Sequence, residues 1–253
     1  MIDKLVSLIP KDGRPYCEPY TGSLEVFLAR QQAPVEAIND IDHRIINLYR
    51  VLQNAQALEK FMKMLDSTAY SRADFERAAE ILRGSPVEQG KEEAIPYHKY
   101  TIVPEPFEIP APLPQVIDVE KAWAFFVLCN QRVSPCALAN CFETFRARLR
   151  CVMVDCIDAF TFIRYWDSPN SVMYVDPPCI EGKANIDYHG ELVDLLLTLK
   201  GAVVVSHYSH SIYERLTENG WSKHELIFDS LVECVWRNPR AVSCTSDEHK
   251  LFI

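Results

Sequence analysis

Residues 171–179 read SVMYVDPPC. Val172–Val175 is apolar at every position, so neither face of this segment is suited to water. That is the pattern of a strand buried on both sides in a parallel sheet. The turn that follows is Asp176-Pro177-Pro178-Cys179. Two prolines fix φ, remove amide donors and hold the residues before them extended, so the chain leaves the strand in a rigid turn. Such a turn presents the Asp176 carboxylate and the loop carbonyls beyond the sheet, where they can accept hydrogen bonds from an exocyclic amine. A bland Pro-Pro loop is the alternative.

Working outward, GAVVVS (201–206) repeats the doubly apolar pattern, and EAIN (36–39), LRCVMV (149–154), HELIF (224–228) and VECVW (232–236) add short apolar runs. Helical patterns stand between them. Strands alternating with helices define the expected fold class: α/β, a doubly wound, Rossmann-like sheet. Near the start, Tyr16–Ser23 (YCEPYTGS) reads as a strand ending in a small-residue turn that opens the helix LEVFLAR. A ligand site at the strand's carboxyl edge suits that arrangement, as does an ordinary strand–turn–helix. Asp40, in Asn39-Asp40-Ile41-Asp42, follows Gly22 by 18 residues. An acid at the end of the second strand of a nucleotide-binding unit binds ribose hydroxyls. Asp40 and Asp42 are also both suited to cap HRIINLYRVLQ, and one of them is expected to do so.

The middle of the chain differs. ALEKFMKML and VEKAWAFFVLCNQ have helical apolar spacing, and Ser71 with Asp74 resembles a capping box opening DFERAAEILR, stopped by Gly84. Between them, Ile95–Pro114 holds six prolines and is expected to be an irregular surface loop. The expected division is therefore a sheet domain of residues 1–53 and 150–253, interrupted by a helical insertion over 54–149. His207 and His210 follow a strand; with no third ligand evident they read as polar helix-start residues, with Ser209 as cap and Gly220 as stop.

Composition narrows the class. The chain has 253 residues, 48% hydrophobic and 24% charged, ordinary values for a globular protein. No apolar run approaches the ~20 residues of a membrane span, so a cytoplasmic protein without a membrane partner is expected. Nine cysteines sit in apolar segments without a CxxC. They are expected to be reduced, buried thiols, with no metal site. The net charge of −9 opposes nucleic-acid binding by bulk electrostatics, but a local basic face is sufficient. Arg132, Arg146, Arg148, Arg150 and Arg164, set against Glu143, Asp155 and Asp158, form either such a face or a solvated helix surface.

Six segments in order resemble the Dam-type, alpha-group DNA adenine methyltransferases: YCEPYTGSLEVF, INDIDHRIINLYRVL, STAYSRADFERAAEIL, EKAWAFFVLCNQ, FRARLRCVMVDCIDAFTFIRYWDSPNSVMYVDPPC and GAVVVSHYSHSIYERLTENGW. The resemblance implies a Rossmann-like methyltransferase domain and a helical target-recognition insertion. It implies methyl transfer from S-adenosylmethionine to adenine in double-stranded DNA. By the same resemblance, Glu18, Tyr20 and Gly22 lie near the methionine part of the cofactor, Asp40 at its ribose and Asp158 at its adenine ring. Asp176, Pro177, Pro178 and Cys179 hold the target base. Apart from the resemblance, Arg132, Arg146 and Arg148 of the candidate basic face, with Tyr188, are the residues expected to contact DNA.

The chain departs from the family at three places. The family's aromatic and Gly-Gly-Lys segment would precede Met1. Ser23-Leu24-Glu25 stands where glycines or alanines are usual, and Cys179 replaces an aromatic residue that stacks on the extruded base. Tyr188 and Tyr208 could supply that ring or simply be rim tyrosines. Cys179 as a nucleophile would need a neighbouring base, which the sequence does not offer. The rival reading is a catalytically inactive relative that acts as a binding or structural protein in a larger assembly, where it could have a protein partner.

Overall fold

A computed structural model describes residues 2–83, 117–129, 135–180, 182–228 and 231–243. The proline-rich stretch Ile95–Pro114, Gly84 and Arg132 lie outside the described residues. The chain forms two compact units, Met1–Ile41 with Cys151–Ile253, and Asp42–Arg150.

The first unit carries a seven-stranded sheet. Its strands are β1 (Tyr16–Glu18), β2 (Glu36–Asn39), β3 (Met153–Asp155), β4 (Val172–Val175), β5 (Ala202–His207), β6 (Ser222–Phe228) and β7 (Leu231–Arg237), in the order β3-β2-β1-β4-β5-β7-β6. The first five are parallel, and β7 runs antiparallel to both neighbours. Every residue of β4 and β5 is buried, as their doubly apolar sequences require. One face, with Cys17, Met173, Val175, Val203 and Val205, packs on helices Ala159–Trp166, Gly182–Thr198 and Ser211–Glu218 through Phe162, Leu192, Leu196 and Leu216. On the other face Tyr16 stacks on Phe27 of the helix Glu25–Ala29, with ring centroids 6.3 Å apart.

The LRCVMV run yields less strand than its apolarity suggests. The helix Pro135–Leu149 consumes its first residue, and only Met153–Asp155 pairs with β2. The strand lies at the sheet edge, and Met153 is 45% exposed. This also corrects the expectation for the thiols. All six described cysteines are free, but only Cys17 and Cys234 are buried; Cys151 is exposed and Cys156 intermediate because they flank this edge strand. Among the described residues no His/Cys/Asp/Glu group could hold a metal, and no helix is long and apolar enough to cross a membrane.

The second unit is helical: His43–Gln53, Ala55–Asp66, Arg72–Arg83, Val119–Cys129 and Pro135–Leu149. It begins at Asp42 rather than Asn54, because the first helix packs on three of the others. Asp42 caps that helix by accepting from Arg44 N at 2.8 Å. Ser71 and Asp74 form the expected capping box: Asp74 Oδ2 accepts from Ser71 N at 3.0 Å, and Ser71 Oγ from Asp74 N at 3.3 Å. Phe61, Phe126 and Phe142 meet edge-on at 5.5–5.7 Å in its core.

The turn after β1 stores strain. Leu24, at a position where the resembling family has a small residue, adopts φ +64°, a left-handed conformation that costs an L-residue about 1–2 kcal/mol. Its side chain is fully buried, and its N–H donates to Thr21 O at 3.0 Å. Truncating a buried leucine costs about 3–5 kcal/mol, so burial outweighs the strain. Leu24→Gly is expected to destabilise the fold by about 2 kcal/mol despite the more permissive backbone. A thermal melt checks this; a melting temperature equal to or above wild type contradicts it.

Candidate active site

The five parallel strands end at one edge, and the chain order reverses between adjacent β1 and β4. In an open α/β sheet that switch point leaves a crevice at the carboxyl ends, where ligands bind. Four loops meet that edge: Pro19–Ser23 after β1, Asp40 after β2, Cys156–Asp158 after β3, and Asp176–Ile180 after β4.

Asn39 joins three of these segments. It is fully buried at the end of β2. Its Nδ2 donates to Pro19 O at 3.1 Å and Ile157 O at 3.0 Å, while its Oδ1 accepts from Ile157 N at 2.9 Å. Its own carbonyl accepts from Thr21 N at 2.9 Å. Each bond removes a buried polar group from deficit, and together they fix the loops after β1 and β3 to the end of β2.

Asp40 is the acid that does not cap. Its Oδ2 accepts from Gly22 N at 3.1 Å. Gly22 has φ +48°, and space around its Cα is open, with nothing within 4 Å of a built Cβ. Asp158 caps the helix Ala159–Trp166 by accepting from Thr161 N at 2.9 Å. Glu18 is only 2% exposed at the end of β1, and its carboxylate accepts from Tyr16 Oη at 2.6 Å. Tyr20 hydrogen-bonds the hydroxyl of Tyr188. Burial, then the neighbouring Tyr188, raises the Tyr20 phenol well above its ordinary value. Tyr188 was expected at the DNA surface. Instead it is 6% exposed and packs on Phe160 at 5.1 Å, because its helix turns that face to the sheet.

Asp176 is exposed at the loop, yet the protein around its carboxyl desolvates it and pushes its pKa from 3.8 up to about 6. Ser206 Oγ opposes the shift by donating to Asp176 Oδ1 at 3.1 Å. The Ser206 hydroxyl is 2.6 Å from Tyr174 Oη; because Ser206 donates to Asp176, Tyr174 donates to Ser206. Neither residue stands out in the sequence as part of a site. Tyr174 lies two positions before Asp176 on the same strand face, but Ser206 depends on the β4–β5 register that pairs Val175 with Val205.

Below the Pro-Pro turn lie two buried imidazoles, His189 and His207. Both are turned toward the Pro178 carbonyl without reaching full hydrogen-bond geometry. His189 Nδ1 meets Tyr213 Oη at 2.6 Å, and burial, then His207, pushes its pKa down to about 4. The turn thus rests on neutral rings. His210, rather than Ser209, caps the next helix: its Nδ1 accepts from Ile212 N at 3.2 Å. Gly220 ends that helix with φ +84°. Cys179 is exposed, and Tyr208 Oη donates to Ile180 O at 3.0 Å.

Arg146 and Arg148 are half-buried on the helix Pro135–Leu149. Residues two apart do not share a helix face, so these two arginines do not form one stripe. Arg146 lies 3.5 Å from Glu143.

The strand order, the antiparallel β7 and an acid at the end of β2 define the class: a Rossmann-like methyltransferase. Residues 1–103 match the model of the D12 class N6 adenine-specific DNA methyltransferases. That segment contains the Tyr16–Ser23 turn and Asp40; the Asp176 loop lies beyond it. No curated protein matches the chain. The family name implies S-adenosylmethionine as methyl donor and DNA as substrate.

Proposed function

We propose that this chain methylates the exocyclic amine of adenine in double-stranded DNA, using S-adenosylmethionine. The observation that carries this reading is Asp176: a carboxylate at the switch point of the sheet, oriented by Ser206 and followed by two prolines that leave only carbonyls for a donor. An adenine amine has two N–H donors. Giving one to Asp176 and one to the Pro177 carbonyl would turn its lone pair away from the loop, so the contribution to rate is orientation. Positive charge then develops on the nitrogen next to a carboxylate, which stabilises it.

The residues present suit the cofactor. Asp40 would accept from ribose hydroxyls, the open space at Gly22 suits the methionine part, and Tyr20 and Glu18 would line the site beside it. Asp158 would contact the adenine ring from the loop after β3. When bound, S-adenosylmethionine supplies an electrophilic methyl group. Arg132, Arg146 and Arg148 would meet DNA phosphates. The inactive-relative reading is not favoured, because the acids at the ends of β2 and β4 are present and hydrogen-bonded.

Titration calorimetry with S-adenosylmethionine tests the cofactor half of this reading. Saturable binding of one molecule per chain, displaced by S-adenosylhomocysteine, is the expected result. No binding heat and no competition would overturn it.

A further inference from the structure

Four aromatic rings form a column through the first unit. Trp236 stacks on Tyr213 at 5.2 Å and 28°, Tyr213 packs tilted against His207 at 4.8 Å and 33°, and His207 packs tilted against Tyr208 at 4.1 Å and 37°. Trp236 and Tyr213 are fully buried, His207 is 3% exposed, and Tyr208 is half-buried. Tyr208 is therefore the outermost ring, with His207 behind it. Its hydroxyl donates to Ile180 O, one residue beyond Cys179, so the ring bridges the end of β5 and the loop that carries Asp176. In β5, two positions earlier, Ser206 touches Asp176 itself.

We propose that Tyr208 is the residue on which the target base stacks, extending the column by one ring. An extruded base needs hydrogen bonds to its edge and an aromatic or apolar surface for its face. Asp176 serves the edge. Cys179 offers no ring, and Tyr188 is committed to the core. Tyr208 has the π surface, a rigid backing and a tether to the loop. Stacking on such a ring is tolerant of which base is presented, so Asp176 and the carbonyls, rather than the ring, would distinguish an amine-bearing base. This inference rests on the adenine-methylation reading and assigns it a residue.

The test measures kcat/KM for methyl transfer to unmethylated mixed-sequence double-stranded DNA, with S-adenosylmethionine affinity measured by calorimetry on the same proteins. Tyr208→Ala and Tyr208→Leu are each expected to lower kcat/KM by about 10–100-fold. Tyr208→Phe keeps the ring and loses only the tether, a change of about threefold. Cofactor affinity is expected to stay within about twofold in all three, which also reports that they fold. Leucine matching phenylalanine would mean that bulk, not stacking, matters and would overturn the proposal. So would Tyr208→Ala at the wild-type rate, or a Tyr208→Ala defect that appears in cofactor affinity. A wild-type chain that binds the cofactor but methylates no DNA overturns the underlying reading and the stacking role with it. An active wild type with an unaffected Tyr208→Ala overturns the stacking role alone.

Discussion

Asp176→Ala is expected to lower methyl transfer by about 10²–10³-fold, the cost of removing one preorganised partner from a developing charge. Cofactor affinity should be unchanged, because Asp176 lies on the base side of the site. The loss should therefore appear in kcat. The raised pKa of about 6 adds a pH signature. The amine needs an acceptor, so the ionised carboxylate is the active form, and the rate should rise with pH through about 6 and level off above it. Asp176→Asn should lose that inflection.

Stability should move in the opposite sense. The folded pKa lies above the ordinary 3.8, so the fold favours the protonated form. The corresponding stability is fully present below about pH 4 and is lost as pH rises through 6. Asp176→Asn should therefore melt higher than wild type at neutral pH, with the difference vanishing below about pH 4. A rate profile without an inflection near 6, in a protein whose Asp176→Asn variant melts no higher, would contradict the desolvated carboxylate.

Asp40→Ala is expected to weaken S-adenosylmethionine binding by about 10–100-fold, which corresponds to losing one or two hydrogen bonds to a charged acceptor, about 1.5–3 kcal/mol. Two effects act in the same direction. The ribose loses its acceptor, and Gly22 N loses the bond at 3.1 Å that sets the turn. Asp42→Ala is the control, since Asp42 caps a helix of the second unit. It should cost stability of about 1 kcal/mol and little affinity. Equal affinity losses in the two variants would sink the assignment of Asp40 to the ribose.

Local chemistry made much of this fold legible. Doubly apolar runs gave β4 and β5, because burial on both faces leaves no alternation. The capping box at Ser71 and Asp74 is written in adjacent residues, as is the stop at Gly220. What the chain order conceals is contact across the sheet. Asn39 bonds Ile157, which lies 118 residues further along the chain, and Ser206 reaches Asp176 only through strand register. Tyr188 reads as a rim residue because its helix is apolar on a broad face, so periodicity did not single out the side that turns inward. The cysteines around β3 misled for the reverse reason: an apolar segment at a sheet edge keeps one side exposed. Leu24 shows that a glycine-like turn can be held by burial instead of by glycine.

The most direct test of the central claim is to incubate the purified chain with S-adenosylmethionine and unmethylated double-stranded DNA, digest the DNA to nucleosides and identify the products by mass spectrometry. The account predicts N6-methyladenine as the methylated product, in wild type and not in Asp176→Ala. A chain that binds the cofactor but leaves the DNA unmethylated would contradict it. So would 5-methylcytosine as the product, which would assign the chemistry to the Cys179 thiol instead of the Asp176 carboxylate.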